Sequence, residues 1–380
     1  MKKIIKYLFV FCTILSARYD ENTIRTAWYV VGKMSLNDKI GQLIVTAPPM
    51  LTSLKERQLS GIILNQYHIK SFNGTKRFLS RYDSLSNIPL FFMSDQEGGL
   101  VNRLQKIKGF RNAPSAAEMG VWSSDSIYKY SLFTAREMKS LGLNTNLAPC
   151  LDVSRDKLSI MNYLKRSFSP NPYRTLSSGK AFAKAMSDGG IITIAKHFPG
   201  YGDSRNNSDA VLARYSPDTY KLISDAYVFA GITPYIDGVM MSSLIYPSLD
   251  TIPAVLSTKV VNLAHMLDPY LVVMTDDLWA PSLRQWAKKN YKVGFTKKYF
   301  QKIVRKAFIA GNDIFLIMHD AKISVAQEEI ETIVKNNPKF EARLDSSVVR
   351  ILLQKNKIHP CLLDKILPED LPDSLSLWEK

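Results

Sequence analysis

Apolar residues fall into short unbroken runs, separated by longer stretches in which they recur at helical spacing. The runs at 40–47, 61–64, 90–94, 145–153, 191–196, 238–245, 271–275 and 313–319 are rich in Val, Ile and Leu. Most do not alternate, which is the pattern of parallel strands covered on both faces. The stretches at 123–141, 173–187, 297–310 and 325–335 predict helices. They stop at Gly142, Gly189-Gly190, Gly311 and Asn336-Asn337, residues that accept the left-handed turn after a last helical residue. Strand–helix alternation of this kind predicts a parallel sheet with right-handed crossovers. Eight strands fit a single (β/α)8 TIM-type barrel; a doubly wound open sheet is the alternative.

The polar residues favour the barrel. Seven of the eight runs end in polar chemistry: Asn65-Gln66, Asp95-Gln96-Glu97, Asp152, Lys196-His197, Ser242-Ser243, Asp276-Asp277 and His319-Asp320. In a barrel the C-terminal strand ends converge on one mouth, so these residues predict a shared site.

Composition narrows the class. The 380 residues are 46% apolar and 22% charged, which is globular and excludes a largely disordered chain. Beyond the N-terminus no run approaches 18 uninterrupted apolar residues, so a polytopic membrane protein is excluded. The net charge of +16 first suggests nucleic acid. However, nine bases and no acid lie between Pro281 and Phe308, so much of the excess is a solvated face of one helical segment. No zinc-finger spacing or RNA-binding aromatic motif accompanies it, and no nucleic-acid partner is expected.

The first 17 residues read as a targeting segment. Lys2, Lys3 and Lys6 precede an apolar stretch from Tyr7 to Leu15, and Ser16-Ala17 offers small residues for cleavage. Leu15 fits the −3 position poorly, so uncleaved membrane attachment through this segment is one alternative, and a buried N-terminal helix another. The expected division is a leader or anchor at 1–17, a lead-in at 18–34, the barrel at 35–360 and a short acidic tail at 361–380. The expected location is exported: periplasmic, envelope-associated or secreted. Cys150 and Cys361, the two cysteines beyond the leader, do not make a disulfide framework.

The chain lacks an HExxH pair, a Cys/His cluster by spacing, a GxGxxG turn, a P-loop and a GxSxG elbow. No metal or cofactor is expected. What is left is a mouth of carboxylates with the cations Arg103, Arg166 and Lys196, suited to gripping paired hydroxyls of a carbohydrate.

Several segments carry a resemblance. Ser94-Asp95-Gln96-Glu97-Gly98-Gly99 with Arg103, Leu147-Ala148-Pro149 through Asp152-Val153, Arg166-Ser167-Phe168, Ala195-Lys196-His197-Phe198-Pro199-Gly200, and Thr275-Asp276-Asp277-Leu278 occur in that order. Together they resemble glycoside hydrolase family 3, with the single-domain β-N-acetylglucosaminidases as the most similar branch. The resemblance implies that Asp276 is the catalytic nucleophile. It implies that Asp95, Arg103, Arg166, Lys196 and His197 bind substrate or shape the site. Asp277 is expected in a structural role, and Asp152 is expected to orient neighbouring cations.

The resemblance fails at the acid/base. That branch carries an Asp-x-His dyad in the loop after KHFPG; here Asn207 and Asp209 occupy those positions, and no histidine lies between His197 and His265. Tyr201, Ser243 and Leu100 are further departures, standing where the family often has His, His and Arg. A histidine with a pKa of ~6.5 donates a proton readily at neutral pH, whereas an ordinary aspartate at ~4 is almost wholly ionised. The expected function is a retaining exo-β-glycosidase removing N-acetylglucosamine from cell-wall or chitin-like glycans, with Asp209 as substitute acid, or Asp203 in its place. The alternatives are a non-hydrolysing glycan binder of the same fold, or β-glucosidase specificity.

Overall fold

The computed structural model describes residues 18–110, 112–291, 297–360 and 362–363. The leader, Cys361 and nearly all of the tail lie outside the described residues. Eight strands, all parallel, close into a barrel in chain order: β1 Ile44–Thr46, β2 Gly61–Ile63, β3 Phe91–Ser94, β4 Thr145–Asn146, β5 Ile192–Phe198, β6 Gly238–Met241, β7 Val272–Asp277 and β8 Ile314–Ile317. Closure is made by β1 pairing with β8, Val45 opposite Leu316. The (β/α)8 expectation holds, and the open sheet does not.

Each predicted strand is present, and six are shorter than expected, β1 and β4 most of all. The run at 40–47 is divided: Leu36–Gln42 is helical, capped by Ser35, and the strand begins at Ile44. The run at 145–153 gives a two-residue strand. Pro149 has no N–H to add to a ladder. The segment after β4 instead leans on β5 as a strap, with Lys196 N donating to Pro149 O and Leu151 N to Lys196 O at 2.7 Å.

The helices follow their caps. Ser124–Leu141 starts on Ser123, whose side chain accepts from Ser126 N, and ends at Gly142 with φ 95°. Lys297–Ala310 ends before Gly311 at φ 115°. The helix expected at 325–335 begins earlier, at Asp320. The basic segment comprises Pro281–Tyr291 and Lys297–Ala310, which bury Leu283, Trp286, Phe300, Ile303 and Phe308. Among the described residues, none of its bases lines the pocket at the mouth.

Two irregularities matter for the site. The β5–β6 register shifts between Lys196 and Phe198, and the β7–β8 register shifts between Met274 and Asp277. Such bulges re-aim side chains at strand ends. Both fall where the strands deliver their polar residues.

Candidate active site

A pocket of about 260 Å³ opens at the C-terminal ends of the strands. Its walls divide by strand number. β3, β5 and β7, with the turns that follow them, supply polar side chains: Asp95, Glu97, Lys196, His197 and Asp276. On the other strands, Ile63 of β2, Met240 of β6 and Leu316 of β8, with Leu147 just past β4, supply apolar floor. Alternate strands contribute alternate layers to a barrel interior. The shared site is therefore real but narrower than seven strand ends. Ser242 Oγ accepts from Leu244 N instead, and Asp320 pairs with Arg57 at 3.3 Å.

One wall is a dense ion-pair network. Lys196 Nζ lies 2.6 Å from Asp95 Oδ1 and 2.6 Å from Glu97 Oε1. Arg166 grips Glu97 with two donors, Nε to Oε2 at 2.8 Å and a terminal nitrogen to Oε1 at 2.9 Å. Burial alone would raise the Glu97 carboxyl; the charges of Arg166 and Lys196 outweigh it and hold Glu97 well below the usual carboxylate range. Burial opposes the charge on Lys196 too, and Asp95 and Glu97 overcome it, so its ammonium is held charged. Glu97 is the hub of this wall. The motif that contains it was read from the sequence, but its role was not, because nothing in one chain segment shows that two distant cations meet on it.

Gln96 supports the same wall without facing the pocket. Its Oε1 accepts from Arg103 N at 2.9 Å and Leu104 N at 3.2 Å, while its own N–H donates to Asn146 Oδ1. This anchors the backbone that carries Arg103. Arg103 reaches Asp95 at 3.7 Å and Gln66 at 3.5 Å, and its buried Nε has no hydrogen-bond partner. Its guanidinium retains donors for a ligand.

Behind the pocket, Asp152 is fully buried. Its Oδ2 lies 2.7 Å from His197 Nδ1 and accepts from Cys150 Sγ at 3.0 Å, while Oδ1 accepts from Tyr201 N at 2.7 Å. Burial works against its ionisation, and the contacts with His197 and Cys150 prevail, so Asp152 is shifted downward. The expected orienting role thus falls on His197. The ring of Tyr201 packs against His197 with centroids 5.0 Å apart, and its hydroxyl bonds to Ser208.

Cys150, Asp152 and His197 bring three potential metal-ligand atoms within 4.8 Å, a grouping that sequence spacing did not reveal. These atoms already bond to one another. Burial and the Asp152 charge push the Cys150 thiol far up, which suits a hydrogen-bond donor and not a thiolate ligand.

The opposite wall is sparse. Asp276 stands at the end of β7, half-buried, with Oδ1 accepting from Asp277 N at 2.7 Å. Its carboxyl is raised to about 6, first by burial and then by the negative charge of Asp209; His197 and Lys196 oppose this only in part. Asp209 is exposed at the rim, where its N–H donates to Asn207 Oδ1 at 2.9 Å, and both residues line the pocket. Asp277 turns away: its Oδ1 accepts from Trp279 N and Met318 N. Asp203 is consumed by Arg155 N, Asp156 N and Lys221 Nζ and does not line the pocket. Arg205 pairs with Asp156 at 2.8 Å.

A closed parallel barrel with an acid-rich pocket at its C-terminal mouth is the architecture of a barrel enzyme. The sequence profile described as "Glycosyl hydrolase family 3 N terminal domain" matches residues 35–353. The chain belongs to this family, and with it to the glycosyl hydrolases. It is 34% identical over 236 residues to Beta-hexosaminidase A of Pseudoalteromonas piscicida, a match spanning 58% of this chain and 38% of that protein. It is 26% identical over 346 residues to Beta-hexosaminidase LpqI of Mycobacterium tuberculosis, spanning 86% of this chain and 84% of the relative. A solved β-N-acetylhexosaminidase from Beutenbergia cavernae shares the fold, with a TM-score of 0.76 at 24% identity, covering 85% of this chain and 99% of that one.

Proposed function

We propose that this protein is a retaining exo-β-glycosidase that removes terminal N-acetylglucosamine from cell-wall or chitin-like glycans. The observation that carries the reading is the meeting of Asp276 and Asp209 in one pocket, opposite Asp95, Lys196, Arg103 and Arg166. The ion-paired wall, with His197, holds the hydroxyls of the terminal sugar. Asp276 attacks the anomeric carbon as the glycosidic bond breaks, giving a glycosyl ester. Water then hydrolyses the ester and returns the carboxylate.

The leaving oxygen needs a proton, and Asp209 is the group that supplies it. Burial and the charge of Asp209 raise the Asp276 carboxyl to about 6. A carboxylic acid is a poorer proton source at neutral pH than the imidazole of the family's dyad, so turnover of unactivated substrates is slow there. Losing general-acid catalysis costs ~10²–10⁴ in rate. This gives substance to a second reading, a glycan binder without hydrolysis, favoured by the loop in which Asn207 and Asp209 replace the Asp-x-His dyad. β-Glucoside specificity is a variant of the first reading.

The basic-then-apolar leader supports export, with any membrane attachment confined to residues 1–17. The division at 18–34, 35–360 and 361–380 belongs to the same proposal; the profile match at 35–353 agrees with its central part. The test is release of an aryl leaving group from an aryl β-N-acetylglucosaminide. Turnover by the wild type that falls by about 10⁴-fold or more in Asp276→Asn supports the enzyme reading. Equal inertness of the two proteins at high concentration sinks it and leaves the binder.

A further inference from the structure

Asp209 rides on a loop that is held from beneath. After β5 the chain crosses the mouth through residues 200–215 and returns beside the segment after β6. There Tyr215 N donates to Ile245 O at 2.9 Å and Ile245 N to Ala213 O at 3.0 Å. Near the start of the loop, Asp203 accepts from Arg155 N at 2.6 Å and Asp156 N at 2.9 Å. These contacts fix the two ends. They leave the tip, where Arg205, Asn206, Asp209, Ala210 and Val211 are exposed.

Ser208 is the exception at the tip. It is only 1% exposed, between half-buried Asn207 and exposed Asp209. Its side chain and its backbone N–H both turn inward to one atom. Tyr201 Oη accepts from Ser208 N at 3.1 Å and also bonds to Ser208 Oγ. Tyr201 is itself anchored in the floor, where its N–H donates to Asp152 Oδ1 at 2.7 Å and its ring packs on His197. A rigid ring therefore spans from the buried Asp152–His197 pair to the loop tip. Without the hydroxyl, a buried N–H and a buried Oγ would lose this partner, which favours release of the tip to water.

The phenol is suited to holding the loop and not to giving up a proton. Burial comes first, then the charge of Asp209, with a smaller push from Asp276. Together they raise the hydroxyl well above the usual tyrosine range, against the pull of Ser208. The group stays neutral and its hydrogen bonds persist.

The outer limb of the loop is pinned separately. Gln285, on the helix Pro281–Tyr291, accepts from Leu212 N at 2.9 Å and donates to Ala210 O at 3.2 Å. Gln285 is exposed, so water competes for these bonds and the greater weight falls on Tyr201.

We propose that Tyr201 is the positioning residue of the acid/base loop, holding Ser208 so that Asp209 faces Asp276, with Gln285 as the lesser clamp. This rests on the glycosidase reading, in which Asp209 protonates the leaving oxygen. Three departures from the family pattern, Tyr201, Asn207 and Asp209, thereby converge on Ser208.

Tyr201→Phe in the full chain is the test, since it deletes the hydroxyl and keeps the ring on His197. Rates are compared as kcat/KM, which reports the steps up to formation of the glycosyl ester. The substrates are an aryl β-N-acetylglucosaminide and the β-1,4-linked N-acetylglucosamine disaccharide. The disaccharide is expected to lose ~10²-fold, the cost of a misplaced group, and the aryl substrate, whose leaving group needs no proton, only a few-fold. The residual disaccharide rate should no longer fall at higher pH. Hydrogen exchange read by mass spectrometry should quicken across 207–212 while the β-strands exchange as before. Gln285→Ala should give the same pattern more weakly. Equal losses on the two substrates, or unchanged exchange at 207–212, overturn the positioning role and spare the glycosidase reading. A wild type inert on both substrates sinks that reading, and exchange then decides alone. Faster exchange in Tyr201→Phe keeps Tyr201 as the tether of the loop, and unchanged exchange sinks both.

Discussion

The two walls of the mouth are built on opposite plans. On the β3 and β5 side, Asp95, Glu97, Arg166 and Lys196 form a continuous set of short ion pairs, and Lys196 and Glu97 are almost wholly buried. On the β7 side, Asp276 and Asp209 face one pocket with like charge, and Asp209 is exposed. The first wall satisfies its charges internally and is rigid before a ligand arrives. The second leaves its charges in conflict, which is where proton transfer and bond formation can occur. Preorganised grip and electrostatic tension are thus separated across a space the size of one sugar.

The largest effect should come from breaking the rigid wall. Glu97→Ala strands the buried Arg166, leaves Lys196 with Asp95 alone, and should cost ~3–5 kcal/mol of stability. Asp95→Ala removes a partly exposed partner, leaves Lys196 paired with Glu97, and should cost ~1 kcal/mol. Urea denaturation of the two variants checks this, and equal losses would contradict Glu97 as the hub. The sparse wall should respond in rate and not in stability. Asn207→Asp combined with Asp209→His rebuilds the dyad, and should speed cleavage of an unactivated disaccharide at pH 7 by ~10²-fold with little change for an aryl substrate. Steady-state kinetics on both substrates would expose the idea if both gained equally.

Much of this contrast was visible in the sequence. The eight apolar runs and the Gly-terminated helices defined the barrel because covered parallel strands and helix stops have local signatures. Asp95, Lys196, His197 and Asp276 were found at strand ends for the same reason. Glu97's hub role, the Cys150–Asp152–His197 grouping and the diversion of Asp203 to Arg155 and Lys221 were not legible. Each includes contacts between segments 45 or more residues apart, although Lys221 lies only 18 residues from Asp203. The apolar floor from Ile63, Met240 and Leu316 was hidden because burial in a strand does not say which face of the barrel a residue meets.

pH gives the smallest and most specific test of the tension at Asp276. Its raised folded pKa means that the attacking carboxylate is lost as pH falls through about 6. For an aryl substrate, whose leaving group needs no proton, the rate should rise about tenfold per unit up to pH 6 and then level. For an unactivated disaccharide a proton must also reach the leaving oxygen, so the rate should fall again at higher pH. Identical profiles for the two substrates would contradict Asp209 as proton donor.

The nucleophile itself is the central claim. Incubation with 5-fluoro-β-N-acetylglucosaminyl fluoride, whose fluoride leaves without protonation while the ring fluorine slows hydrolysis of the ester, should trap the intermediate despite the missing histidine. Peptide mass spectrometry is expected to find one glycosyl adduct, on Asp276. An adduct on another residue, or none while the same reagent is consumed, would contradict the account.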